Sequence, residues 1–97
     1  MLTGKQKRYL RALGSIQDPI VQIGKAGVVQ ALIESANDAL KARELIKIRV
    51  LRNCPYEPED AIKALAKETS SELVQVIGRN GLLFKRNEEK MKITLPE

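Results

Sequence analysis

Between Ile20 and Val50 the hydrophobic period changes twice, and that switch constrains the fold more than any other feature of the chain. The apolar run Ile20–Ile23 reads as a short buried strand. Val29, Leu32, Ile33, Ala36 and Leu40 then recur at helical spacing, which predicts a helix from Val28 to about Arg43. From Glu44 the period drops to two. Ile46, Ile48 and Val50 alternate with Lys47 and Arg49, the pattern of a strand with one apolar and one wet face. The turn between the first strand and the helix is Gly24-Lys25-Ala26-Gly27. Two glycines three apart let the backbone adopt φ > 0 and approach a ligand closely. A helix start just beyond leaves unpaired N–H groups and a positive dipole end, and both suit an anion. Lys25 adds a mobile positive charge at the same corner. A Gly-x-x-Gly turn also serves as a plain connection, so other features must decide. The Walker pattern is absent, because no Gly-Lys-Ser/Thr follows a four-residue gap. The dinucleotide fingerprint lacks its third glycine and its acidic residue. A nucleic-acid backbone fits this corner better than a hydrolysed nucleotide.

The flanking segments extend the alternation. Residues 3–13 read as a first helix, capped by Thr3 and ended by Gly14, with Leu2, Tyr9, Leu10 and Leu13 as a partial apolar stripe. This helix carries Lys5, Lys7, Arg8 and Arg11 and no acidic residue. Pro55 and Pro58 frame a loop after the Ile46–Val50 strand. Pro58 opens a third helix with Glu59 and Asp60 at its positive end, a stripe of Ile62, Leu65 and Ala66, and an end near Thr69. Glu72–Ile77 is a further strand. Gly78-Arg79-Asn80-Gly81 reads as a hairpin turn on the strength of Asn-Gly, with Leu82–Arg86 as the returning strand. Met91, Ile93 and Leu95 alternate as an optional terminal edge strand. The order α-β-α-β-α-β-β implies an α/β sandwich of two or three layers, with helices packed on a four-stranded mixed sheet.

Ninety-seven residues make one domain, 1–97. No stretch approaches the ~20 apolar residues of a membrane span, and the opening Met-Leu-Thr-Gly-Lys-Gln-Lys-Arg lacks the apolar region of a secretory signal. The single Cys54 and the lack of histidine fit a reducing, cytoplasmic setting and leave no ligand set for zinc. No cofactor or metal is expected. The net charge is +5, and it is unevenly placed. Residues 1–52 hold ten Lys/Arg against four Asp/Glu, whereas residues 53–97 hold seven against eight. Such asymmetry suggests a basic face and a polyanionic partner. With Tyr9, Tyr56 and Phe84 as the only aromatics, contacts to an RNA should go mainly to phosphates and shape.

Four stretches together resemble the CRM domain, the RNA-binding module of plant organelle splicing factors, and especially its stand-alone bacterial YhbY-type members. They are Leu2-Thr-Gly-Lys-Gln-Lys-Arg-Tyr-Leu-Arg, Val21-Gln-Ile-Gly-Lys-Ala-Gly, Glu44-Leu-Ile-Lys-Ile-Arg-Val and Leu73-Val-Gln-Val-Ile-Gly-Arg. The resemblance runs nearly the whole length, in order. It implies a sheet similar to that of the C-terminal domain of translation initiation factor three. It also implies RNA binding without catalysis and, for the bacterial members, association with precursors of the large (50S) ribosomal subunit. Carried over by position, the RNA-binding loop is Gly24, Lys25, Ala26 and Gly27. The basic surface beside it draws on Lys5, Lys7, Arg8, Arg11, Lys47, Arg49 and Arg79. The sequence departs from the family around Asn80-Gly81, which makes the second glycine pair a hairpin detail.

The leading expectation is thus a monomeric, non-enzymatic protein that binds large-subunit ribosomal RNA and aids ribosome assembly. Two other classes share its charge pattern: a basic adaptor that docks on an acidic protein, and a general nucleic-acid-binding module. An RNA-acting enzyme would rest on Glu59, Asp60 and Glu68 without a histidine or a Cys–base pair, and the usual acid–base set is missing.

Overall fold

The computed structural model describes residues 2–97. Its elements are α1 (Gly4–Ser15), β1 (Val21–Ile23), α2 (Gln30–Arg43), β2 (Leu45–Val50), α3 (Pro58–Thr69), β3 (Glu72–Ile77) and β4 (Asn80–Phe84). The order of elements is the one expected from the hydrophobic periods. The sheet runs β1-β2-β4-β3, with β1 parallel to β2 and β4 antiparallel to both of its neighbours. β1, β2 and β3 therefore point the same way, and β4 returns between β2 and β3.

Each helix carries its own start or stop signal. Thr3 and Gln6 form a reciprocal capping box on α1, with bonds of 3.1 and 3.0 Å. Pro58 opens α3 ahead of Glu59 and Asp60, and Ser70 closes it in the left-handed region at φ 54°. α1 does not end at Gly14. It continues to Ser15, and Gly14 lies buried in its last turn, where an added Cβ would sit 2.5 Å from Leu82 Cδ1. The glycine is there to bring the helix down onto β4 rather than to break it.

The sheet separates two cores. On one face Ile23, Ile46, Ile48, Val50 and Leu83 pack against Leu40 of α2 and Ile62 and Leu65 of α3. On the other, Leu45, Val74, Leu82 and Phe84 meet Leu10 of α1. The architecture is a three-layer α/β sandwich whose second outer layer is only part helix. The rest of that layer is the C-terminal segment, which brings Ile93 and Leu95 onto the second core. The optional terminal strand does not form. The Lys92 and Ile93 N–H groups are directed instead to the carboxylate of Glu44, at 2.6 and 2.8 Å.

Glu44 is fully buried at the α2–β2 junction with φ 65°. It also accepts from Asn87 N–H at 2.7 Å and from Arg86 Nη1 at 3.2 and 3.3 Å. Burial raises the carboxyl pKa, but the backbone bonds from Asn87, Lys92 and Ile93, helped by Arg86, outweigh it and hold it below its ordinary value.

The hairpin differs from expectation by two residues. Ile77 and Asn80 pair across a two-residue turn, Gly78-Arg79, with Gly78 at φ 58°. This is the glycine-first arrangement suited to the twist of a hairpin. Asn80-Gly81 belongs to β4 itself. Gly81 is required there by close packing, since a Cβ would meet Ile62 at 2.8 Å.

Replacing Glu44 by Gln should destabilise the fold at neutral pH by about 3 kcal/mol, because it removes the charge that a buried ion pair and several N–H groups are arranged around. A folded-state pKa below the unfolded one makes this contribution full above the ordinary carboxylate range, near ~4.3. It is lost as pH falls through the folded-state value. Urea unfolding of both proteins from pH 7 down to pH 2 should therefore show two curves that converge in acid. Parallel curves would contradict this account.

Candidate nucleic-acid interface

The strand directions gather the loops of interest at one end of the sheet. β1 and β2 both end there, at Ile23 and Val50, and the Gly78-Arg79 turn lies at the same end beside Val50, whose N–H donates to the Arg79 carbonyl at 2.7 Å. The Gly24–Gly27 loop, the connection from Leu51 to Glu57 and the hairpin turn are thus neighbours.

Within the first loop, Gly27 N–H bonds the Gly24 carbonyl at 3.0 Å and Val29 N–H bonds the Gly27 carbonyl at 3.2 Å. Those bonds extend the turn, so α2 begins at Gln30, two residues later than the periodicity suggests. Val29 caps the helix without a side-chain bond. The first-turn N–H groups of α2 thus receive no side-chain acceptor from the cap, and the positive end of the helix dipole faces the loop end of the sheet. Lys25 and Ala26 are exposed at the tip.

The two glycines have different roles. Only Gly27 takes a positive φ, at 74°, and a Cβ on it would lie 2.8 Å from the ring of Tyr56. Gly24 keeps an ordinary φ, and a Cβ there would make normal contacts with Leu51 and Asn53 at 3.6 and 3.7 Å. The conformational argument holds for Gly27 alone. Gly24 has room for a Cβ in ordinary contact.

The basic residues fall into two groups. Lys47 and Arg49 stand on the α1 side of β2, because Ile46, Ile48 and Val50 face α2 and α3. Arg49 pairs with Gln22 on one side and Asn80 on the other. On α1, Leu10 and Gly14 face the sheet, which leaves Lys5 and Arg8 exposed and Lys7 and Arg11 half-buried. Arg11 and Lys47 meet across a groove between α1 and the sheet. Arg11, Lys47 and Arg49 thus form a stripe from α1 over β2, the neighbour of β1, which leads into the glycine loop, whereas Lys5 and Arg8 lie on the exposed side of α1. Among the described residues the ion pairs are Lys63–Glu59 and Arg86–Glu44, and neither uses a cation of this stripe.

Arg79 is engaged differently. Its Nη1 donates to the Val50 and Leu51 carbonyls at 3.4 and 3.2 Å and ties the hairpin to the end of β2. That bond satisfies backbone acceptors left over where β2 stops, and it holds part of the guanidinium in place.

Residues that the periodicity did not single out also belong to this end. Tyr56, 58% exposed, stands over Gly27 and lines a cavity of about 260 Å³ with Ala26, Val28 and Asp60. Gln75 and Asn80 line the groove that holds Arg11 and Lys47. Asn80 was obscured by the Asn-Gly hairpin signal, and nothing local marks Gln75, whose direction depends on a register shift in β3. No group of three or more His, Cys, Asp or Glu residues is placed to hold a metal ion among the described residues. No helix in them is long and apolar enough to cross a membrane.

Comparison with known proteins matches residues 2–85 to the CRS1 / YhbY (CRM) domain. The chain is 48% identical over 96 residues to YqeI of Bacillus subtilis, named as a probable RNA-binding protein, covering 99% of this chain and 100% of that one. It is 34% identical over 95 residues to an RNA-binding protein of Haemophilus influenzae, covering 98% and 95%. The solution structure of SAV1595 from Staphylococcus aureus superposes with a TM-score of 0.82 at 47% identity, covering 99% of this chain and 100% of that one.

The unequal glycines lead to a simple contrast. Gly27→Ala should destabilise the protein by about 1–2 kcal/mol, the strain of a left-handed backbone carrying a Cβ. Gly24→Ala should stay within about 0.5 kcal/mol of the native protein. Thermal and urea unfolding of the two variants measure the difference directly, and equal losses would refute it.

Proposed function

We propose, for a chain that belongs to the CRS1/YhbY (CRM) domain family, that it is a non-enzymatic RNA-binding protein acting on large-subunit ribosomal RNA in 50S precursors. The observation that carries the RNA reading is the unpaired basic stripe on α1 and β2. Lys5, Lys7, Arg8, Arg11, Lys47 and Arg49 have no acidic partner in an ion pair among the described residues. A surface of like charges without counter-charges repels itself, and a polyanion relieves that repulsion. RNA supplies phosphates at regular intervals along such a stripe, and each one neutralised releases condensed counterions. The Gly24–Gly27 turn, with Lys25 at its tip and the α2 dipole behind it, takes one phosphate of the same strand.

The ribosomal assignment draws on the likeness to the stand-alone bacterial members of the family. A non-enzymatic role agrees with a chain that has no histidine and one cysteine. We place the protein in the cytoplasm as a monomer. Both sheet edges discourage pairing with another chain, since β1 has three residues and β3 carries an irregularity in its register.

Two measurements test this reading. In filter binding or anisotropy with structured ribosomal RNA, Lys25→Glu should weaken binding to all sequences alike and lower the slope of log K against log[salt] by about 1. An unchanged affinity would remove the loop from the interface. Crosslinking of a tagged copy in growing cells should recover RNA concentrated in one region of the large-subunit ribosomal RNA. Reads spread over all abundant RNAs would reduce the role to general RNA binding, and protein capture that survives nuclease would favour an adaptor.

A further inference from the structure

The groove between α1 and the sheet contains chemistry that phosphate binding does not require. Besides Arg11 and Lys47, its walls include the carboxamides of Gln75 and Asn80 and the side chain of Ile77. Three independent features set these groups where they are. The first is the register shift in β3. Leu73 pairs with Leu83 and Gln75 with Leu82, so Val74 is the extra residue of a β-bulge. Strict alternation would have sent Gln75 toward α2 and α3. The bulge keeps it on the α1 side together with Val74, which packs in the second core.

The second feature is Asn80 Oδ1. It is shielded from solvent and has no hydrogen-bond partner, alone in this among side-chain polar atoms of the described residues. Buried acceptors are otherwise nearly always paired. An apolar side chain at this strand position would avoid the desolvation, so the amide works against stability where it stands. A carboxamide that no internal bond holds is free to turn toward an incoming partner. The third is Ile77, 64% exposed at the rim of the groove. It offers an apolar surface beside the polar groups, as a flat ring would need.

We propose that this groove receives one unstacked base of the bound RNA, an adenine, read by the Asn80 and Gln75 carboxamides. The inference rests on the RNA reading above and adds base recognition to it. The groove holds about 220 Å³, below the roughly 300–1,000 Å³ of pockets that enclose drug-sized ligands. That volume suits a single base with its sugar and phosphates outside, where Arg11 and Lys47 meet them. A carboxamide presents a donor and an acceptor side by side. Adenine answers with its N6 amine and N7, the pairing by which Asn and Gln read this base. Its two rings also cover more of Ile77 than a pyrimidine would. Single-stranded loops and bulges, where bases are splayed out, are where proteins read RNA sequence.

The test uses four hairpin RNAs that differ only in one bulged nucleotide, A, G, C or U, with fluorescence anisotropy against the full-length protein. The bulged-A hairpin should bind about tenfold more tightly than the least favoured one, the size of one bidentate contact. Asn80→Ala and Gln75→Ala should each flatten that preference, whereas Lys25→Glu should weaken all four hairpins alike. The urea midpoint of Asn80→Ala should equal or exceed that of the native protein, because an unpartnered buried oxygen is removed. A lower midpoint with an unaltered preference would make Asn80 a structural residue and overturn the proposal. Equal binding of all four hairpins by the native protein would also overturn it while leaving RNA binding intact. Failure to bind any hairpin or ribosomal RNA would overturn both readings.

Discussion

Glu44, through its backbone and its carboxylate, joins the end of α2, the end of β4 and the C-terminal segment. Its backbone closes α2, through N–H to the Leu40 carbonyl at 2.7 Å, and its carbonyl accepts from Lys85 N–H at the end of β4 at 2.9 Å. Its side chain then takes Arg86 and the N–H groups of Asn87, Lys92 and Ile93. A buried anion is tolerated only when its lone pairs are filled, and here they are filled mainly by backbone donors from a segment with no regular structure of its own. That segment then lays Ile93 and Leu95 over Leu45, Val74 and Phe84. The second core therefore depends on the carboxylate for its lid. Leu2 and Gln6 of the N-terminal region bond Glu72 and the Pro96 carbonyl, so both chain ends are drawn into the same layer.

This arrangement makes the two ends of the sheet unlike each other. One end is closed by the Glu44 network, by Leu2, Gln6 and the C-terminal segment, and by the cation–π contact of Arg86 with Phe84, 5.4 Å from the ring centroid. The other carries the glycine loop, the Tyr56 connection and the hairpin turn. Parallel strands of an α/β sheet present their carboxyl ends to ligands because the helices that follow start there, with their N–H groups exposed. β1, β2 and β3 all end on the open side.

Glycine serves this chain in several ways that composition cannot separate. Gly14 and Gly81 are small because Leu82 and Ile62 occupy the space a Cβ would need. Gly27 and Gly78 have left-handed backbones, and Gly27 also faces the Tyr56 ring. Gly24 has neither constraint. Asn80 is a polar counterpart, since its buried Oδ1 has no hydrogen-bond partner.

Periodicity and charge, read without coordinates, determined the order of seven elements, the helix-on-sheet class, the basic first half and the glycine corner with Lys25. These are short-range properties: a helix or strand repeats within a few residues, and Lys and Arg carry their charge wherever they stand. The Thr3 cap and the Pro58 start were legible for the same reason, whereas the face of Lys47 and Arg49, expected to be wet, also carries α1 and the second core, and only Arg49 is fully exposed on it. Tertiary structure alone decided that β4 lies between β2 and β3, that the turn is Gly78-Arg79, and that Arg79 binds the end of β2. It alone turned Gln75 through a bulge, brought Arg11 to Lys47, and folded the tail onto Glu44 instead of onto a strand. The Arg79 bond to β2 and the bonds of the tail to Glu44 join groups 28 to 49 residues apart, and no local pattern records which of the possible partners wins.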